Sequence, residues 1–385
     1  MHIAIIAEYN PFHKGHAYQI SEARRIFGED VKISVILGGI FSQRGEAYIA
    51  PPYIRAEAAI KCGADIVFEM PFPFSAAPAS IFARAGVEIA EKIGADILFF
   101  GSECGDINKL YEKLDRLDSD EMKKALKEKS AGALGKTRAY TKVFESLYGE
   151  AAPAAPNDIL AIEYMRAIKN SGAKIKPYTI LRKGDYKSGA GEFPSASSLR
   201  SEFSSGGISA IKHGIPDEAY KVFNDANENG LLFPDIERLA SAVLMKFSDG
   251  TPKDIAFSGS GIIGRLKNAA REANSIKELL ALASTKRYTD AELSRAVLYT
   301  LFSVKRSHLA KKVHYTRLLA ANSRGREILS GNIAIETVTK PSDTDKLSAS
   351  AKKQYLFTFA AERAYSLCLK GKYMHLKQAP RIFKP

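Results

Sequence analysis

Over the first two hundred residues, apolar positions fall into two alternating rhythms. Ile3-Ala4-Ile5-Ile6-Ala7 is a continuous apolar run, the pattern of a strand buried on both faces inside a parallel sheet. Asn10-Pro11 ends it. Apolar residues then recur at Ala17, Ile20, Ala23 and Phe27, the three- and four-residue spacing of a helix that begins at or just after His16. Val31–Leu37 reads as a second strand closed by Gly38-Gly39, and the loop Phe41–Glu46 follows. Two echoing units come next. One helix ends at Cys62, meets Gly63-Ala64-Asp65 and runs into Ile66-Val67-Phe68; another ends at Ile93, meets Gly94-Ala95-Asp96 and runs into Ile97–Phe100. Glycine stands in each where a helix C-cap takes the left-handed conformation. Strand alternating with helix predicts a parallel sheet with right-handed crossovers.

Residues 106–150 are charged and helical with alternating sign, suited to covering the sheet edge. Pro153 and Pro156 bracket a turn, after which Asn157 is expected to cap a helix over Asp158–Asn170. A strand over Pro177–Leu181 delivers Arg182 and Lys183 to the carboxyl edge of the sheet, and a loop with Gly184, Gly189 and Gly191 leads to Ser195-Ala196-Ser197-Ser198-Leu199-Arg200.

The rhythm changes at Ser204-Ser205-Gly206-Gly207, which sets an expected boundary between residues 1–203 and 204–385. Helical patterns then succeed one another at Ile236–Phe247, Ile262–Ala273, Ile276–Ala283 and Ala291–Val304. Ser275 with Glu278 and Thr289 with Glu292 read as capping boxes. The expected architecture is a Rossmann-like α/β domain followed by a mainly helical one.

Charge sharpens this division. Residues 1–200 stand at +2, residues 201–385 at +11, and residues 251–385 alone at +15. A one-signed field concentrated in one region steers polyanions, although a lysine-rich solvated surface gives the same balance. No apolar stretch approaches the roughly 18–20 residues of a membrane span, and the N-terminus reads as a core strand, so the cytoplasm is the location expected by default. Cys62, Cys104 and Cys368 are too few and too scattered for a disulfide framework or a zinc site.

The chemistry gathers at the end of the first strand. Glu8-Tyr9-Asn10-Pro11-Phe12 leads into His13-Lys14-Gly15-His16, which puts two imidazoles and an ammonium at a helix N-terminus whose free N–H groups hold phosphate. Two histidines three apart lack a third metal ligand nearby, and their loop differs from the metalloprotease helix motif. Satisfied structural histidines are the plain alternative. As ring N–H donors, the pair would stabilise charge building on an attacked α-phosphate. Ligands collect outside the carboxyl ends of strands, so Gly101 is expected near this loop, where a missing side chain lets a nucleotide approach the backbone. Hydroxyls opening the helix at Ser195–Ser198, with Arg200 a turn later, form a second phosphate clamp. In the basic region, Lys286-Arg287-Tyr288 and Lys311-Lys312-Val313-His314-Tyr315-Thr316-Arg317 interleave cations with tyrosine, which suits RNA.

These residues carry a resemblance. His13-Lys14-Gly15-His16 after a buried strand is similar to the His-x-Gly-His signature of the nucleotidyltransferase superfamily, and Ser195–Arg200 to its second signature, which contacts the β- and γ-phosphates. More narrowly, Glu8–His16, Gln43-Arg44-Gly45-Glu46, Phe100-Gly101-Ser102-Glu103 and Lys286-Arg287-Tyr288-Thr289, in this order and spacing, resemble the bacterial tRNA(Met) cytidine acetate ligase family along nearly the whole chain. The chain departs from the expected pattern at Phe257–Gly264, which is glycine-rich where a Glu-Gly-type sequence is expected in relatives.

The resemblance implies that ATP and acetate give acetyl-adenylate and pyrophosphate, and that the acetyl group then passes to N4 of the wobble cytidine of elongator tRNA(Met). It implies an ATP site of Ile6, Ala7, Glu8, Tyr9, Asn10, Pro11, Phe12, His13, Lys14, Gly15, His16, Ala17, Tyr18 and Gln19, with Gly101, Asn157 and Arg182. His13 and His16 are the expected catalytic pair, and Ser197, Arg200 and Lys14 the expected holders of pyrophosphate. Mg²⁺ is expected to enter on the triphosphate, since the sequence offers no carboxylate cage. Lys286, Arg287, Tyr288, Lys311, Lys312 and Arg317 are the expected tRNA contacts. Two alternatives stay open: an adenylyltransferase acting on a phosphorylated cofactor precursor, and a non-catalytic ATP-binding RNA adaptor.

Overall fold

The first apolar run forms β1 (His2–Ala7), an inner strand of an eight-stranded sheet. The computed structural model describes residues 1–129, 136–183, 193–248, 254–257, 261–331, 333–373 and 380–383. The glycines expected at 184, 189 and 191, and residues 258–260 of the glycine-rich departure, lie outside them. β2 (Lys32–Gly38) and β3 (Ile66–Met70) extend the sheet on one side of β1, and β4 (Ile97–Ser102) and β5 (Lys176–Leu181) on the other. All four of these pairings are parallel, with His2 opposite Lys32 and Ala7 opposite Leu37. Strand order therefore reverses at β1. The carboxyl ends of β1 and β4 flank a topological switch point, where open α/β sheets bind ligands.

The echoing units share one device. Gly63 (φ +104°) and Gly94 (φ +78°) turn the chain out of the helices α2 (Pro52–Lys61) and α3 (Ala79–Lys92). The aspartate two residues later then caps the start of the neighbouring strand. Asp65 accepts the N–H of Ile33 and Asp96 that of His2, each at 2.8 Å. Alternate strand residues feed two cores. Ile3, Ile5, Val35 and Val67 face α2, while Ala4, Ile36, Phe68 and Leu98 face α3. α1 (Lys14–Phe27) opens the first crossover, α4 (Ile107–Leu117), α5 (Asp120–Lys129) and α6 (Lys136–Tyr148) follow β4, and α7 (Pro156–Ser171) leads into β5.

The remaining helices are α8 (Ala196–Ala210), α9 (Asp217–Glu228), α10 (Ala240–Ser248), α11 (Ile262–Ala269), α12 (Ile276–Ala283), α13 (Asp290–Leu301), α14 (Arg306–Ala310), α15 (Ser323–Leu329) and α16 (Ala349–Cys368). The boundary expected at 204 falls within α8, three residues before its path breaks at Gly207 (φ +70°). It divides neither the sheet nor the core. The later part, read as mainly helical, adds β6 (Tyr315–Ala321), β7 (Glu336–Val338) and β8 (Arg381–Ile382) to the sheet. β6 runs antiparallel to β3, with Ile66 opposite Ala321. Leu199, Val222, Leu279, Leu293 and Tyr365 pack in the same core as Ile3 and Ile5. Among the described residues no helix is long and apolar enough to cross a membrane.

Candidate functional site

β1 delivers its carboxyl end into a tightly tied loop. Tyr9 takes φ +46°, a conformation side chains rarely adopt, and the Asn10–Pro11 peptide is cis. The side chain of Asn10 accepts the N–H of Ile49 at 2.9 Å, and its carbonyl accepts from Arg200 at 2.8 Å. Arg55 on α2 lies beneath, fully buried, its guanidinium 4.0 Å from the centre of the Tyr48 ring. It donates to the carbonyls of Glu8 (2.6 Å), Gly38 (2.8 Å), Ala50 (3.0 Å) and Gly39. One buried cation thus pins the loops that leave β1 and β2, because every polar group it meets there is a carbonyl oxygen.

The helix begins earlier than apolar spacing alone predicts. His13 is the N-cap of α1, and Lys14, not His16, opens the helix. The reason lies in the ring nitrogens. Nδ1 of His13 accepts the N–H of Gly15 at 3.1 Å, and Nδ1 of His16 accepts the N–H of His13 at 3.2 Å, a capping box made of two imidazoles. The rings stack with centroids 3.7 Å apart. Burial, and after it the Arg182 guanidinium, pushes the His13 imidazole down to about 3. Burial, then His13 and Arg182, holds His16 well below its ordinary value. Both rings are therefore neutral at pH 7. With Nδ1 occupied as an acceptor, each carries its proton on Nε2.

A cavity of about 250 Å³ opens at the switch point over these rings. Of the residues expected there, Ile6, Ala7, Glu8, Tyr9, Asn10, His13, Gly15, His16, Tyr18 and Gln19 line it, as do Gly101, Asn157, Arg182 and Arg200. Gly101 leaves room, since a Cβ built there would meet only the Cβ of Arg182, at 3.9 Å. Five expected residues are not on its wall. Phe12 is fully buried with its ring edge-on to Tyr9, Pro11 is buried, and Ala17 packs against the core. Lys14 lines a separate open hollow with Lys212 and His213. Ser197 is exposed on α8, and it is Ser195 that caps the helix, accepting the N–H of Ser198 at 3.1 Å.

Asn157 also differs from its expected role. Pro156 occupies the first position of α7 and Ala155 is the N-cap, so the Asn157 side chain is free to donate to Glu103 Oε1 at 2.7 Å. The Glu103 carboxylate lies on the N-terminus of α7, accepting the N–H of Asp158 at 2.9 Å, where the helix dipole favours an anion.

Part of the wall is not foreseen by sequence reasoning. Gln43 and Phe100 stand inside the motifs above, without a role assigned to them, while Lys183 lines the wall at the carboxyl edge where it is expected beside Arg182. Phe82 on α3 and Leu160 and Tyr164 on α7 sit at helical apolar spacing, which core positions share. The Gln43 backbone is held from both sides, its N–H donating to Glu8 Oε1 at 2.8 Å and its carbonyl accepting from Arg295 on α13 at 2.7 Å. Among the described residues, three arginine and lysine side chains and one carboxylate, Glu8, line the cavity, a balance suited to a polyphosphate. Among the described residues no three His, Cys, Asp or Glu gather to hold a metal ion.

The basic residues separate into two groups. Lys286 and Arg287 are exposed ahead of α13, with the Arg287 guanidinium 5.4 Å from the centre of the Tyr288 ring, and Lys311 and Lys312 are exposed after α14. Thr289 and Glu292 make the expected reciprocal box. Arg317 is a correction. It lies inside β6, 5% exposed, with Nη2 and Nε on Glu69 at 2.8 and 2.5 Å and Nη1 on Glu362 at 2.7 Å, and Tyr315 beside it is fully buried. Buried and bonded to two carboxylates, its guanidinium is not placed on the surface that a tRNA phosphate would meet.

Known proteins are similar to this chain. The family model described as HIGH Nucleotidyl Transferase matches residues 1–379. The tRNA(Met) cytidine acetate ligase of Thermoanaerobacter sp. (strain X514) is 32% identical over 340 residues, covering 85% of this chain and 84% of that protein. The one from Syntrophotalea carbinolica is 31% identical over 371 residues (92% and 87%), and that from Listeria monocytogenes serovar 1/2a 32% over 351 residues (87% and 88%). Among solved structures, Thermotoga maritima TmcAL bound with alpha-thio ATP superposes with a TM-score of 0.90 over 100% of both chains at 24% identity, which shows a shared fold.

Proposed function

The chain belongs to the tRNA(Met) cytidine acetate ligase family of HIGH nucleotidyl transferases, and we propose that it activates acetate with ATP as acetyl-adenylate and passes the acetyl group to N4 of the wobble cytidine of elongator tRNA(Met). The observation that carries this reading is the stacked histidine pair on the wall of the switch-point cavity, each ring with its Nδ1 committed to a backbone N–H. Acetate oxygen attacks the α-phosphorus, the bond to the β-phosphate bridge breaks, and pyrophosphate leaves. Charge building on the α-phosphate oxygens meets the two N–H donors, with Arg182, Lys183 and Arg200 positioned around the chain of phosphates. The donors are already held by the capping box, so no reorganisation is needed as the charge develops. Mg²⁺ would arrive on the phosphate oxygens, because Glu8 is the one carboxylate on the described wall, and it would neutralise charge on the leaving pyrophosphate.

Incubation with labelled acetate, ATP and bulk tRNA tests the reading. Label in tRNA supports it, AMP transfer to a small molecule supports an adenylyltransferase, and no turnover supports an ATP-binding adaptor. The exposed cations at Lys286, Arg287, Lys311 and Lys312 hold the tRNA backbone in this proposal, with Tyr288 offering a ring for stacking. Arg287→Glu is expected to weaken tRNA binding and flatten its salt dependence by roughly 0.7–0.9 of a unit for each phosphate no longer neutralised. Unchanged affinity and slope would remove this segment from the interface.

A further inference from the structure

The second half of the proposed reaction needs a proton acceptor, and we propose that it is Glu8, acting as general base on the attacking amine; this rests on the acetyl-transfer reading. The other cavity groups are unable to serve. An exocyclic amine that becomes an amide must shed a proton, and the acceptor must hold a free lone pair within hydrogen-bond reach of the nitrogen. His13 and His16 look like the natural bases but are spent. Each commits its Nδ1 lone pair to a backbone N–H, and each carries a proton on Nε2. Burial, with Arg182 beside them, keeps both rings in that form. Arg182, Lys183 and Arg200 are cationic donors, and Tyr9, Tyr18 and Tyr164 present phenols. Glu8 alone on the described wall carries a carboxylate.

Its two oxygens are not equivalent. Oε1 accepts the N–H of Gln43 at 2.8 Å and the hydroxyl of Tyr48 at 2.9 Å, which fixes the side chain. Among the described residues Oε2 has no hydrogen-bond partner, so it is the oxygen left to take a proton. The backbone beneath is equally fixed, since Arg55 donates to the Glu8 carbonyl at 2.6 Å. Such a carboxylate stands at the carboxyl end of β1, beside the helix N-terminus where the acyl phosphate forms. The step balances without any further reagent. The N4 lone pair attacks the acetyl carbonyl carbon and a C–N bond forms. The C–O bond to the adenylate phosphate then breaks, its electron pair leaving on AMP, and the N4 proton passes to Glu8 Oε2 and from there to water.

Glu8→Gln separates this role from a structural one. The glutamine Oε1 keeps an acceptor for Gln43 and Tyr48, while an NH₂ replaces the oxygen that takes the proton. Activation is read by acetate-dependent ATP–pyrophosphate exchange and by trapping acetyl-adenylate as acetohydroxamate with hydroxylamine; transfer is read by single-turnover acetylation of elongator tRNA(Met). Transfer is expected to fall at least about 10²-fold further than activation, the scale of general-base catalysis. Glu8→Asp, which withdraws a carboxylate by one methylene, is expected to fall between the two. If both steps fall by the same factor in both variants, or transfer is unchanged, Glu8 is not the base and the AMP phosphate takes the proton. A wild-type protein that neither exchanges pyrophosphate nor forms hydroxamate overturns the acetate-activation reading itself, and this inference with it.

Discussion

Replacing His16 by alanine is expected to lower acetate-dependent pyrophosphate release by about 10²–10³-fold, the usual cost of one preorganised donor to a developing charge. The loss has two parts. One Nε2–H disappears from the cavity, and the N–H of His13 loses its acceptor, so the remaining ring is also less firmly held. Asparagine at position 16 can restore an acceptor for that N–H without restoring the ring donor, and is expected to fold better than alanine while staying slow. The pH behaviour follows from the depressed pKa values. In the unfolded chain these imidazoles protonate near 6.5, and in the fold only far lower, about 3 for His13. The unfolded state therefore binds more protons between those values. Stability is full above about pH 6.5 and falls as pH drops below it, by up to ~1.4 kcal/mol per pH unit for each ring. Activity measured between pH 7 and 8 is expected to show no limb from either histidine. A near-wild-type rate in His16→Ala, or a step in activity near pH 7 that vanishes in that variant, would contradict the neutral-donor assignment.

What the sequence makes legible is local. Continuous apolar runs such as Ile3–Ala7 declare a doubly buried strand because nothing polar interrupts them, and Gly63 and Gly94 declare helix ends because only a left-handed residue fits there. The switch-point geometry follows from that alternation, which is why strand and helix rhythm alone brings Gly101 and Arg182 to the histidine loop. The start of α1 escapes apolar spacing because spacing says nothing about a histidine that caps, and the role of Asn157 escapes it because Pro156 already takes the first helical position. Phe82, Leu160 and Tyr164 stay hidden for the opposite reason: lining a cavity and filling a core demand the same side chains. The sheet's second half is invisible in the pattern, since β6 pairs with a strand about 250 residues earlier and short-range periodicity does not reach that far.

Arg317 shows the same limit at a single residue, and carries the largest stability effect expected. In sequence it closes a cationic run, Lys311-Lys312 through Arg317, and reads as a phosphate ligand. Its partners, Glu69 and Glu362, lie 248 and 45 residues away, and only the fold brings them together. Although burial works against its charge, Glu362 and then Glu69 hold the guanidinium above its ordinary range, and burial pushes the Glu69 carboxyl up. Tyr373 donates to the other oxygen of Glu362 at 2.8 Å, so the cluster ties β3, β6, α16 and the segment after it. Removing the cation leaves two carboxylates buried without compensation, which typically costs ~3–5 kcal/mol. Arg317→Ala is therefore expected to shift the denaturant midpoint strongly downward, while the salt slope of tRNA binding per folded molecule stays as in wild type. Adding Glu69→Gln and Glu362→Gln to Arg317→Met should recover much of the loss, because the penalty lies in the stranded charges rather than in the missing pair. An Arg317→Ala protein of unchanged stability that bound tRNA with a shallower slope would return this residue to the interface.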